Sequence, residues 1–176
     1  MIANINRCQK KWIRGLPAIG VLAFLVLSIV LASQADYGLS KLIHFGDYFT
    51  TKAIPQLDGL NPAIEANSSG YDGQFYAQIA LDPLLRDEAT TLAMDNAPYR
   101  FRRIFMSWLA YLGGLGQPEW ILQAFALINP LAWLALAALL TRWVNPLTLD
   151  GFVRWSASLL SLGAIASVRN ALPDLP

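Results

Sequence analysis

Three apolar stretches divide the chain, and a long polar segment separates the first from the other two. Residues 15 to 35 and 120 to 141 carry no charged side chain, and residues 152 to 172 carry charges only near their ends. About 20 residues of helix cross the hydrocarbon core of a bilayer. The pattern therefore predicts an all-α polytopic membrane protein with about three transmembrane helices, at residues 15–35, 119–141 and 152–172.

Basic residues before the first apolar stretch set its orientation. Residues 1–14 contain four basic residues and no acid, so the positive-inside rule places this basic N-terminus in the cytoplasm. Ser33-Gln34-Ala35 also resembles a signal-peptide cleavage site, and removal of the first stretch is the rival interpretation. In both cases residues 36–103 form an outer loop, and residues 142–151 then form a cytoplasmic loop.

A shorter apolar stretch, residues 104–118, does not fit a simple span. Its apolar part, residues 104–115, would be about 18 Å long as a helix, and Gly113 and Gly114 weaken it. We expect an interfacial or re-entrant helix with the neighbouring arginines at headgroup level. The alternative is a short, strained span. Without a crossing here, residues 173–176 are an outer end on the same side as the outer loop.

The outer loop contains one stretch with the composition of a site, Gly70-Tyr71-Asp72-Gly73-Gln74-Phe75-Tyr76. The pattern predicts a helix over Gln74–Leu81 and a second over Pro83–Met94 with Asp82 as its N-cap. Aspartate is a favoured N-cap, so Asp72 could accept hydrogen bonds from the first amides of its helix. Alternatively, Asp72 is a catalytic base held at a membrane surface beside aromatic rings. The two interpretations are compatible.

Composition narrows the class of protein. The chain is 55% hydrophobic and 14% charged, whereas ordinary soluble domains have about 25% charged residues. The net charge of +1 gives no reason to expect nucleic-acid binding. Cys8 and His44 are the single residues of their types, which excludes an internal disulfide and a multi-histidine metal site. A divalent metal is not supported by the number of candidate ligands, and we assign no cofactor.

The predicted topology brings one carboxylate and several arginines to the outer surface. Arginine pairs with phosphate through two parallel hydrogen bonds, and a carboxylate can deprotonate an acceptor hydroxyl. This combination suits a lipid phosphate as the substrate. The alternatives are arginines that only contact lipid headgroups and a plain surface turn at Asp174. The gathered residues are Asp72, Arg100, Arg102, Arg103, Arg169 and Asp174.

Tyr71–Tyr76, followed by Ile79–Pro83 and Asn96–Ile104, resembles bacterial multi-pass glycosyltransferases of the class C (GT-C) superfamily. The layout is similar to that of the GPI-anchor-type mannosyltransferases. The resemblance implies that the outer loop supplies the catalytic acidic residue, here Asp72. It also implies a polyprenyl-phosphate-linked sugar as donor, on the periplasmic face of the bacterial inner membrane, and a cell-surface glycan or lipid as acceptor. The expected substrate-binding residues are Tyr71, Gln74, Tyr76, Arg100, Arg102, Arg103, Arg169 and Asp174.

The chain departs from that family in two respects. The usual acidic pair is reduced to Asp72 followed by Gly73, and family members are far longer than 176 residues. We therefore expect an N-terminal fragment that is inactive alone, with further helices or a membrane partner subunit completing it. A non-catalytic assembly or scaffold protein, whose outer loop binds a partner or lipid, remains the alternative. A transporter component comes third, because the spans lack ionisable residues away from their ends.

Overall fold

The computed structural model describes residues 38–172 and six residues of the first apolar stretch. Those six, all helical, are Ile19, Gly20, Leu22, Ala23, Val26 and Val30. The described part is mostly helical, which confirms the all-α class. The rest of the expected first span, residues 15–35, and the expected outer end, residues 173–176, lie outside the described residues.

Short elements occupy residues 38–103, which we call the polar segment, and longer helices follow it. A 3-10 helix covers Ser40–Ile43, and strands β1 (Phe45–Gly46) and β2 (Ile64–Glu65) pair in parallel. The helices are α1 Asp47–Thr50, α2 Pro55–Asp58, α3 Gly73–Leu81, α4 Glu88–Leu92, α5 Ala97–Phe101, α6 Phe105–Gly113, α7 Pro118–Leu140, α8 Leu149–Leu159 and α9 Leu162–Arg169. The small parallel sheet was not predicted by the sequence pattern.

Helix α3 begins directly after Asp72, as predicted, and is the buried helix of the polar segment. All residues from Gly73 to Ala80 are buried, and α3 packs against α6 and α7. The Ser107 hydroxyl of α6 donates to the Tyr76 carbonyl at 2.8 Å. A serine in that place lets the two helices approach closely while it satisfies a buried polar atom.

The predicted helix over Pro83–Met94 is wrong. The Asp82 carboxylate accepts hydrogen bonds from the amides of Arg86 and Asp87 and from the Thr90 hydroxyl. These bonds fold the following residues into a loop instead of a first helical turn. Helix α4 begins only at Glu88, with Asp87 as its N-cap. Aspartates favour both arrangements, and the sequence pattern does not distinguish them.

Helix α7 is the predicted span at residues 119–141, and it packs against most of the other long helices. Among the described residues, it is the one unbroken helix that is long enough and apolar enough to cross a membrane. Pro130 lies inside it. Helix α6, the predicted interfacial helix at residues 104–118, has nine residues, about 13 Å, which is too short to span.

The expected span at residues 152–172 is not one continuous helix: α8 and α9 meet at a bend of 49°, so by length and composition the pair is either a broken span or a re-entrant loop. The Ser161 side chain accepts from the Ala164 amide and so starts a new helix at the bend. Two indoles then tie this pair to α7. Trp133 donates to the Leu159 carbonyl at 3.0 Å, and Trp155 donates to the Ala137 carbonyl at 2.9 Å.

Two apolar clusters form the core of the described part. The first surrounds α3 and the N-terminal half of α7, and the second lies between the C-terminal half of α7 and the α8–α9 pair. Asn129 joins the ends of the two clusters: its Nδ2 donates to the carbonyls of Ser167 and Leu172 at 2.8 and 2.7 Å. One buried amide therefore satisfies two carbonyls at the C-terminal end of α9.

Replacing this amide tests its contribution to stability. Asn129→Ala leaves two carbonyls without a partner, and we expect a loss of about 2 kcal/mol in the free energy of unfolding. The measurement is thermal unfolding in detergent micelles, followed by tryptophan fluorescence. Leu131→Ala is the matched control, since Leu131 is 59% exposed on the same helix. Equal destabilisation by both changes would show that the Asn129 bonds contribute nothing specific.

Candidate functional site

Arg100, on α5, is the centre of the candidate site. The residue is 5% exposed. Its Nη2 donates to Asp72 Oδ1 at 2.9 Å, and its Nη1 lies 2.7 Å from Asp72 Oδ2. Its Nε and Nη2 donate to the two oxygens of Asp95 at 2.9 and 2.7 Å. One guanidinium therefore holds Asp95 through hydrogen bonds to both of its oxygens, and Asp72 through one hydrogen bond and a second close charge contact.

These contacts shift the protonation equilibria of the cluster. Hydrogen bonding from Arg100 holds the pKa of Asp95 below its usual range, although burial acts in the opposite direction. The hydrogen bond to Asp95 raises the pKa of Arg100, and Asp72 adds to this against the effect of burial. Asp95 and Arg100 are therefore both charged at neutral pH.

Three aromatic rings surround the guanidinium. The Cζ atom of Arg100 lies 4.6 Å from the centroid of the Phe75 ring and 5.5 Å from those of Tyr76 and Tyr99. Such contacts stabilise a cation that has lost water. Burial raises the pKa of Tyr76, with Arg100 acting in the opposite direction. Tyr76 is fully buried and forms the wall behind Arg100. It has no exposed atom with which to make the contact with a substrate that the sequence predicted.

Asp72 does not cap helix α3 with its side chain, so that interpretation of the sequence is wrong. It occupies the N-cap position, but its backbone is helical and its carboxylate makes no capping hydrogen bond. The carboxylate is drawn to Arg100 instead, because a buried guanidinium without carboxylate partners is costly. The Asp72 side chain is nevertheless 49% exposed. It is the most exposed member of the cluster, in which the Asp95 side chain is 36% exposed and Arg100 is buried.

Gln74, expected to bind substrate, holds the motif together from inside. It is 1% exposed; its Oε1 accepts from the Gly46 amide at 3.1 Å, and its Nε2 donates to the Ser69 carbonyl at 2.7 Å. Gly46 and Gly70 touch there so closely that a Cβ on Gly46 would lie 2.2 Å from the Gly70 nitrogen. The two glycines and Gln74 fix the loop that leads into Asp72.

His44, for which the sequence pattern predicted no role, borders the site. Its Nδ1 contacts Glu65 Oε1 at 2.5 Å, and its Nε2 lies 3.2 Å from the Arg169 carbonyl. Its ring also packs edge-on against Tyr71, 5.6 Å away. Both ring nitrogens therefore face oxygen atoms, one of a side chain and one of the backbone. No local pattern marks this residue, because its partners lie 21 and 125 positions away.

The end of α9 reaches the start of α3, as the expected grouping of Arg169 with Asp72 requires. A Cβ on Gly73 would lie 2.9 Å from the Asn170 carbonyl and 3.1 Å from that of Ala171. Only glycine allows this approach without displacing backbone. The carbonyls that follow the C-terminus of one helix thus meet the N-terminus of the other, which is a favourable arrangement of dipoles.

The remaining predicted residues lie at the surface. Tyr71 is half exposed, Arg102 and Arg103 are exposed, and the guanidinium of Arg103 lies 5.1 Å from the Tyr99 ring centroid. Asp174 lies outside the described residues. Asp95 was missed, although an acid five positions before Arg100 could have indicated it. Within the described part of the chain, no three histidine, cysteine or acidic side chains cluster as metal ligands.

The pKa of Asp95 leads to a pH-dependent stability. A carboxyl whose pKa is depressed in the folded state stabilises the fold above its unfolded pKa, and that contribution is lost as the pH falls through the folded value. We expect the thermal midpoint of the wild type to fall steeply below about pH 4. Asp95→Asn should lower the midpoint at pH 7 and make its acid dependence shallower. Parallel pH profiles for the two proteins would contradict this.

The comparisons with known proteins found nothing similar to this chain. No family model, curated protein or solved structure matches the chain. The resemblance of the Asp72 motif to GT-C glycosyltransferases therefore stays a prediction. The geometry by itself defines a half-exposed carboxylate that a buried arginine orients, next to a histidine–glutamate pair that packs on Tyr71.

Proposed function

We propose that this chain belongs to a multi-pass protein of the bacterial inner membrane that transfers a sugar from a polyprenyl-phosphate donor. The observation that carries the proposal is the Asp72 carboxylate. It is half exposed, while the arginine that orients it is buried. Such a carboxylate can take a proton from an acceptor hydroxyl, since each of its oxygens keeps a further lone pair. Transfer would occur on the periplasmic face.

The membrane part of the proposal rests on apolar surface. Helix α7 has the length and composition of a span, and the bent pair α8–α9 would be a broken second one. Trp120 and Trp143, at the two ends of α7, are 63% and 72% exposed. Tryptophans at both ends of a span are typical of the two membrane–water interfaces. Broken helices occur at membrane depth where protein or a cavity covers the freed backbone groups.

The donor would be recognised by its phosphate. Arg100 is committed to Asp72 and Asp95, so it is not the phosphate ligand that the sequence predicted. Arg102 and Arg103 are exposed just before α6, whose outer surface carries Phe105 and Leu112, 69% and 62% exposed. Exposed arginines next to an apolar surface suit a phosphate attached to a long hydrocarbon chain.

A scaffold function is the second candidate, and one observation favours it. Gln74 and Arg100 are buried, and their side-chain hydrogen bonds with Gly46, Ser69, Asp72 and Asp95 connect separate loops of the polar segment. A cluster that only braces the polar segment would look the same. The two candidates differ in what the loss of each Arg100 partner does, because only one of these partners would touch the substrate.

Asp72→Asn is therefore compared with Asp95→Asn in membranes containing the complete gene product. Both changes remove one charged partner of Arg100, but only Asp72 would act as the base. We expect Asp72→Asn to lower sugar transfer by a factor of about 10² to 10⁴, with a smaller effect of Asp95→Asn. Equal losses of transfer and of thermal stability in both variants would favour the scaffold.

The phosphate contacts are tested by binding. In nanodiscs, Arg102→Gln with Arg103→Gln should weaken binding of a polyprenyl-phosphate sugar by about tenfold, a value reduced for solvent exposure. Lysine at both positions keeps the charge but loses the two-pronged hydrogen bonding, so it should restore only part of the affinity. The control is Arg142→Gln with Arg154→Gln, since both are exposed beyond α7. Unchanged affinity in the first pair would remove these arginines from the donor site.

A further inference from the structure

A pocket in the polar segment lies apart from the Arg100 cluster, and the proposed transfer does not yet use it. Its volume is about 560 Å³, which falls within the range of small-molecule sites. Helices α1 and α2 and the loop into β2 form its walls. The lining residues are Thr50, Ala53, Leu57, Asp58, Asn61, Pro62 and Ile64.

The polar members of this lining can receive hydroxyl groups. Asp58 is exposed, and among the residues that the structure describes none makes a hydrogen bond or ion pair with its carboxylate. Thr50 Oγ1 donates to the Asp47 carbonyl at 2.9 Å, so the lone pairs of this hydroxyl are left to accept. Asn61 adds a carboxamide that both donates and accepts. Together they present mostly acceptors, which match a ligand rich in O–H donors.

The apolar residues of the lining include two buried side chains and one exposed side chain. Leu57 and Pro62 are buried, whereas Ile64 is 50% exposed. The start of α2 is fixed against α3, since the Ile54 amide donates to Oε1 of the buried Gln78 at 3.1 Å. A sugar ring has the same division, with C–H groups on its face and hydroxyls at its edge.

Other ligand classes fit less well. A lipid chain would leave the polar groups of Asp58, Asn61 and Thr50 without partners, which is costly. A divalent cation prefers several carboxylate or carbonyl oxygens, and the pocket holds a single carboxylate. A hydroxyl-rich ring uses both the acceptors and the apolar face.

We infer that this pocket binds a sugar residue of a glycan. Asp58, Asn61 and Thr50 accept or donate to its hydroxyls, and Ile64 packs against the ring.

Strand β2 relates the pocket to the Asp72 site. Ile64 lines the pocket, and the next residue, Glu65, bonds His44 beside Tyr71. Successive residues of a strand point to opposite faces, so the bound unit is a distal sugar of the acceptor rather than the one that reacts. Only this role in transfer rests on the proposed function.

Saturation-transfer NMR on the chain in nanodiscs tests the pocket directly. The probes are the methyl glycosides of mannose, glucose and galactose, and N-acetylglucosamine. We expect saturation of the ring protons of at least one sugar, and a dissociation constant raised about tenfold in Asp58→Asn. Asp150→Asn, which removes an exposed carboxylate on α8, should leave it unchanged. No saturation with any of the sugars, or equal affinity in both variants, would overturn the inference.

A second measurement separates this inference from the proposed transfer. In the complete gene product, Asp58→Asn should raise the KM for the acceptor and leave the KM for the donor unchanged. If sugar binding depends on Asp58 but no sugar transfer is found, the sugar-binding pocket is supported and the proposed glycosyltransferase activity is contradicted. Transfer that depends on Asp72, with no sugar binding and no effect of Asp58→Asn, keeps the enzyme and removes the pocket.

Discussion

Burial of a single guanidinium organises the polar segment. Arg100 sits among three aromatic rings and is 5% exposed, where an unpaired charge would be very unfavourable. It therefore requires Asp72 and Asp95, and these come from the loop before α3 and the turn before α5. The requirement orders both loops at once. It also explains why a carboxylate at the head of a helix leaves the helix uncapped.

The sequence predicted those features that depend on local pattern. The start of α3 after Asp72 and the long helix α7 follow from a turn-forming motif and from an uninterrupted apolar stretch. The partners of Asp72 could not be predicted, because a capping bond and an ion pair with Arg100, 28 positions away, are both open to an aspartate. The bend between α8 and α9 was not predicted, for a similar reason. Apolar composition describes the length of a span but not a break at Ser161.

Polar residues of the motif divide into two functional groups in the structure. Gln74 and Tyr76 are buried and hold the loop and the wall behind Arg100, whereas Tyr71 and Asp72 are about half exposed. A motif read from sequence therefore mixes residues that build the site with residues that could touch a ligand. His44 belongs to the site although the motif does not contain it, since Glu65, Tyr71 and Arg169 surround it.

The contact between His44 and the Arg169 carbonyl joins residues 125 positions apart. Closing so long a loop is entropically costly and comes late in folding. During synthesis, the polar segment emerges well before α9 exists, so the start of α3 waits without the carbonyls that later pack on Gly73. The site is complete only after the last described helix has docked. Misplacement of that helix would therefore leave the Asp72 loop unsupported, even with every residue of the motif intact.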